Sequence, residues 1–166
     1  MLQQITVCDR IQELLNAAQV PFRLMEHEPA GPTDVASAIR GNKLQEAAKA
    51  MVLVAVKGKK DREFILAVVS GNRRINFKAI RTLSNSSYVG LAPAEKAEEL
   101  TGCVMGSVPP FSFHPDLKLL VDRQLLNNAQ IVFNAGRLDQ SIFLAVRDFV
   151  AIAKPTVGNI AQEEPD

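Results

Sequence analysis

Val7, Ile11, Leu14, Leu15 and Ala18 recur at helical spacing and the stripe stops at Val20-Pro21, which predicts an opening α-helix. FRLMEH (22–27) then reads as a strand. PAGPT is a turn, with Thr33 placed to cap a short helix over DVASAIR. KLQEAAKA (43–50) predicts a helix running directly into the β-branched strand MVLVAV, which KGKKD turns back onto EFILAVV as a hairpin. INFKAIRTL and APAEKAEELTG predict two more helices, the second starting at Pro93. KLLVD, QIVFNAG and SIFLAV follow as strands, then a closing helix, RDFVAIAK, broken at Pro155. The final AQEEPD predicts a loose acidic tail. About six strands with helices at irregular intervals imply an α+β fold, a mixed, barrel-like β-sheet with surrounding helices.

At 166 residues the chain can bury one core, and no linker or repeat divides it. Residues 1–154 are therefore expected to form a single domain, with 155–166 as a C-terminal tail. MLQQITVCDR lacks the pattern of a signal peptide, and the apolar run from Ala50 to Val56 is too short to span a bilayer. Cys8 and Cys103 form no CxxC and read as two reduced core thiols, so a cytoplasmic protein with no membrane partner is expected. A formal charge of +1 exerts no bulk pull on polyanions. Two local basic clusters stand out: Lys57, Lys59, Lys60 and Arg62 in the hairpin turn, then Arg73, Arg74, Lys78 and Arg81. One tyrosine and no tryptophan argue against a stacking platform for single strands.

The two histidines, His27 and His114, and the two cysteines give no zinc-ligand spacing, so no metal is expected. Walker loop, dinucleotide fingerprint and nucleophile elbow are missing, and no cofactor is expected either. An enzyme made of these residues would work by positioning its substrate. Three segments offer the means. Lys49, at the mouth of an apolar strand, is either a solvated lysine or a charge facing an anion. GSVPP (106–110) is either a rigid turn or a backbone cradle in which Gly106, Ser107 and Val108 aim their amides at a ligand oxygen. Asn134-Ala135-Gly136 is either an ordinary turn or a small-residue opening with a donor and an acceptor on Asn134.

Taken together, ASAIRGNKLQEAAKAMVLV, GSVPPF and IVFNAGRLDQSI resemble the YbaK/ProX family of aminoacyl-tRNA deacylases, related to the editing domain of bacterial prolyl-tRNA synthetases. The resemblance spans about Val7 to Phe149. It implies a hydrolase that removes a wrongly attached small amino acid from mischarged tRNA, with no DNA partner and a synthetase as a further partner. It places the family lysine at Lys49, beside Met51, and the family glycine at Gly106, with Pro109 completing the loop. Asn134, Ala135 and Gly136 would line the side-chain pocket, and Lys57, Lys59, Lys60, Arg73 and Arg74 would follow the tRNA backbone. Ala50 stands where some relatives carry asparagine, and Asn134 lies near the position where alanine-selective ones carry histidine, so the amino acid removed stays open. A non-catalytic module holding a tRNA end or nucleotide is the alternative, because the absence of a nucleophile suits it equally well.

Overall fold

Thr6 caps the first helix, α1 (Val7–Ala17), accepting at Oγ1 from the Asp9 N–H at 3.1 Å while the Asp9 carboxylate accepts from the Thr6 N–H at 3.3 Å. The computed structural model describes residues 5–162. After α1 come β1 (Phe22–Glu26), α2 (Thr33–Arg40), a 3₁₀ turn (Leu44–Glu46), β2 (Ala48–Lys57) and β3 (Asp61–Ser70). The chain continues through α3 (Phe77–Leu83), β4 (Tyr88–Leu91), α4 (Ala94–Thr101), β5 (Leu117–Asp122) and a 3₁₀ turn (Arg123–Asn127). It closes with β6 (Gln130–Arg137), β7 (Gln140–Ala145), α5 (Val146–Ala153) and β8 (Thr156–Gly158).

The fold is mixed α+β, but its strands make two open sheets rather than one barrel-like sheet. One has the order β1-β7-β6, the other β4-β2-β3-β5-β8, with β5 parallel to both β3 and β8. A parallel bridge between Ala47 and Val132 links them. MVLVAV and FILAVV read as continuous apolar runs because the larger sheet is covered on both faces. Val52, Leu66 and Val68 pack toward α1 and the smaller sheet, among Ile11, Phe133 and Phe149. Leu53, Ile65 and Val69 face the other way, onto Ile75, Ile80 and Ile160.

Three local expectations change. The helix read over 43–50 is only a 3₁₀ turn, and strand begins at Ala48, which pairs with Ser70. Pairing along ten residues of β3 outweighs the helix preference of alanine, worth less than about 1 kcal/mol per residue. Thr33 lies inside α2 rather than capping it; Pro32 holds the cap position without a side-chain bond. Residues past 155 are not a free tail: β8 pairs with β5, and Ile160 is fully buried. The Asp122 carboxylate accepts from the Ile160 N–H at 2.9 Å, which ties this segment down. The last four residues of the expected tail, 163–166, lie outside the described residues.

Candidate active site

A cavity opens at the seam between the sheets. β2 pairs with β3 along its full length but with β4 only across Leu53–Val56. The Val52 C=O accepts from the Ala92 N–H at 3.0 Å, and main-chain groups alternate sides along a strand. Ala50 therefore directs its N–H and C=O to the same edge, beyond the end of β4. There a cavity of about 50 Å³ is bordered by Ala48, Lys49 and Ala50 of β2 and by Phe133 and Asn134 of β6. Gly31, Thr33, Ala36 and Arg40 border it from the α2 side, and Gly106 and Val108 from the loop after α4. Across Ala50, Gly106 and Val108 it adjoins a larger apolar cavity of about 280 Å³, bordered also by Met51, Leu91 and Met105.

The Gly106 loop is a built wall. Gly106 has φ +88°, and a Cβ there would lie 3.0 Å from the Gly31 Cα. Its C=O accepts from Asn134 Nδ2 at 2.8 Å, and the Ser107 C=O accepts from the Gly136 N–H at 2.9 Å. The N–H groups of Gly106 and Val108 have no partner among the described residues. Ser107 differs from the sequence reading: it is fully buried, and its N–H and hydroxyl both donate to the Val104 C=O, at 3.0 and 2.7 Å. Pro109 and Pro110 are buried and carry the chain to Phe111, whose ring meets Phe149 edge-on at 5.4 Å. The prolines anchor the loop to the core.

Of the Asn134-Ala135-Gly136 group, only Asn134 borders the cavity. Ala135 is fully buried, and Gly136, at φ +81°, sits against Val7, where a Cβ would lie 2.9 Å from that side chain. The Asn134 amide is saturated. Nδ2 donates to the Ala30 and Gly106 carbonyls at 2.9 and 2.8 Å, while Oδ1 accepts from Arg40 Nη1 at 3.3 Å and the Ser141 hydroxyl at 3.0 Å. Asn134 therefore braces the two loops beside the cavity and has no hydrogen-bonding group left for a ligand.

Lys49 lies within β2, on the Met51 and Leu53 face rather than the Ala48 and Ala50 face. Its Nζ donates to the Arg73 C=O at 2.6 Å. Burial, then the charge of Arg74, lowers its pKa below the ordinary lysine value. Lys49 alone of this basic group borders the cavity; its Nζ meets the Arg73 main chain, with the Arg74 charge nearby. The hairpin cluster does not join them, because Lys57 is eight residues along β2 from Lys49, about 27 Å. Lys57 is also paired with Glu63 at 2.9 Å, as is Lys118, leaving Lys59 and Lys60 as the exposed tip.

Burial pushes the Glu63 carboxyl up, but bonds from Lys118 and Lys57 outweigh this and hold it below 4.5. A depressed carboxylate stabilises the fold above its unfolded value and loses that effect as pH falls through the folded value. Glu63→Gln is expected to lower the melting temperature by no more than a few degrees at pH 7, since both lysine partners are exposed and such pairs contribute about 1 kcal/mol or less. The gap between variant and wild type should close as pH falls below 4.5. Parallel melting curves at pH 7 and pH 3 measure it.

Residues 27–152 match the aminoacyl-tRNA editing domain. The chain belongs to this family. The editing domain here is 38% identical over 151 residues to the multifunctional Ser/Thr-tRNA deacylase ProXp-y of Escherichia coli K12, spanning 90% of each chain. A shorter match, 24% identical over 76 residues, is to a proline–tRNA ligase of Lactiplantibacillus plantarum; it covers 46% of this chain and 13% of that protein. Among solved structures, hypothetical protein APE2540 aligns with a TM-score of 0.82 at 25% identity, over 92% of this chain and 99% of the other. A candidate trans-editing enzyme for prolyl tRNA synthetase shares the fold at TM-score 0.78 and 20% identity, over 98% of this chain and 100% of that one.

Sequence reasoning missed Arg40 altogether. It ends α2 with 6% of its surface exposed, and burial pushes its guanidinium down to about 10, so it stays charged at neutral pH. No carboxylate lies within bonding range of it among the described residues. The available signal was the inward stripe Ala36, Ser37 and Arg40, where two small residues let the helix approach closely enough to seal off a charge. No helix among the described residues is long and apolar enough to cross a membrane, and they contain no cluster of three metal-ligating side chains.

Proposed function

We propose that this aminoacyl-tRNA editing hydrolase acts in trans, in the cytoplasm, on tRNA carrying a wrongly attached small amino acid. Serine and threonine are the first candidates, because the E. coli relative is named for them. The observation that carries this reading is the 50 Å³ cavity beside Gly106 and Val108, with room for roughly three or four water-sized atoms. A small side chain fits there, and a larger one clashes with Phe133 and the alanines. The ester carbonyl then lies near the open Gly106 and Val108 N–H groups, which stabilise the oxyanion as water adds to the carbonyl carbon. Collapse breaks the bond to the ribose oxygen, leaving the free amino acid and a tRNA hydroxyl. Such an ester is already activated, so orientation with one or two donors suffices. The terminal base lies toward the 280 Å³ apolar cavity, and the Lys49–Arg73–Arg74 corner holds backbone phosphates. A synthetase that binds the same tRNA is a fitting partner.

Purified protein incubated with a panel of mischarged tRNAs tests the reading. Release of small amino acids, with bulky ones such as phenylalanine retained, is expected. Bound tRNA without turnover would instead mark a binding module. Lys49→Ala should lower kcat/KM by about 10- to 150-fold, the effect of one charge-assisted contact. Lys43→Ala, at an exposed position before the 3₁₀ turn, should leave it nearly unchanged. Equal behaviour of the two variants would count against the role given to Lys49.

A further inference from the structure

We propose that Arg40 reads the side-chain hydroxyl of the amino acid, and so selects serine and threonine over alanine and cysteine. The inference rests on the editing reading above. A guanidinium has five N–H donors and no acceptor. Four are engaged: Nε with Asn42 Oδ1 at 3.0 Å, Nη1 with Asn134 Oδ1 and Ser141 Oγ at 3.3 Å each, and Nη2 with Ser37 Oγ at 3.3 Å. The second Nη2 hydrogen has no partner among the described residues, although the residue is 94% buried and borders the cavity. Asn134, the other strongly polar residue deep in this wall, has no free group. Half-exposed Thr33 also borders the cavity, but its hydroxyl is neutral and can both donate and accept, so it does not demand an acceptor.

A buried donor with an open bond calls for an acceptor. The substrate's α-ammonium is excluded from this wall by like charge, which leaves the side chain as the part that enters. A serine or threonine oxygen completes the fifth bond. An alanine methyl leaves the N–H buried and unmatched, and a cysteine sulfur accepts weakly despite its similar shape. Sites built to bond a substrate hydroxyl reject analogues lacking it far better than a size filter can separate methylenes.

The test is kcat/KM for one tRNA body charged in turn with serine, threonine, alanine and cysteine. Wild type is expected to favour serine over alanine by about 10- to 100-fold, as for a bond to a charged group, with cysteine behaving like alanine. In Arg40→Met the serine-to-alanine ratio should fall toward one, mainly through loss of serine turnover. Arg40→Lys keeps the charge without the fork and should fall between. If Arg40→Met slows both substrates equally, the residue acts only by holding Asn134 and the proposal is overturned. Wild type without a serine preference overturns it too, whether or not the variants fold. Release from no aminoacyl-tRNA would remove the editing reading, and this inference with it; release without discrimination removes this inference alone.

Discussion

Gly106→Val is expected to lower deacylation by about 100-fold or more while the protein still melts cooperatively. Two independent constraints act at this position. At φ +88° any side chain is strained, and a β-branched one most of all. A Cβ would also lie 3.0 Å from the Gly31 Cα and 3.3 Å from the Gly31 C=O, both backbone atoms that cannot rotate away. The loop must therefore shift, carrying with it the carbonyl that Asn134 holds at 2.8 Å and the N–H groups of Gly106 and Val108. Displacement of such donors by about 1 Å costs on the order of 100-fold in rate. Gly106→Ala meets the same contact with less bulk and should fall between. Single-turnover deacylation beside a melting curve measures both effects. A fully active Gly106→Val would reduce the loop to a turn.

The second large effect is expected at Asn134. Asn134→Leu retains most of the volume but leaves the Gly106 and Ala30 carbonyls without their donor and Arg40 with one bond fewer. Each buried group left without a partner costs about 1–3 kcal/mol. A total near 3 kcal/mol predicts a melting temperature lower by roughly 6–12 °C for a chain of this size. Turnover should drop as well, because both loops beside the cavity lose their brace. Asn134→Asp separates brace from bulk. It preserves an acceptor for Arg40 but turns its second oxygen toward two carbonyls, so it should lose turnover without the volume change. If Asn134→Leu melts within about 2 °C of wild type, the four bonds do not hold the loops.

Much of this protein follows from local pattern. The two apolar runs on either side of KGKKD could only be a hairpin, since β-branched residues without polar alternation suit a strand buried on both faces. The α1 stripe and the stop at Pro21 are equally local. Gly106 followed by Ser107-Val108-Pro109 announced a loop that resists regular pairing, because a proline and a left-handed position are properties of single residues. The lack of ligand-spaced histidines and cysteines and of nucleophile motifs is likewise legible in the sequence and points to catalysis by positioning.

Packing decided the rest. Ala48 joins a strand because ten residues of β3 lie beside it, although its neighbours favour helix. Ser107 lost its proposed role when its N–H turned back onto Val104, and the Asn134 amide was consumed by four groups, from Ala30, Arg40, Gly106 and Ser141. Arg40 is the clearest case. Its partners Asn134 and Ser141 lie 94 and 101 residues away, and the small residues Ala36 and Ser37 on its helix face are the one local sign that sets it apart from a solvated arginine at a helix end. Hydrophobic periodicity reports which face of an element is covered, a property of a few consecutive residues. Which polar groups end up sharing that cover depends on how distant elements pack, and so only the folded chain determines whether a guanidinium is solvated or sealed beside a cavity with one bond open.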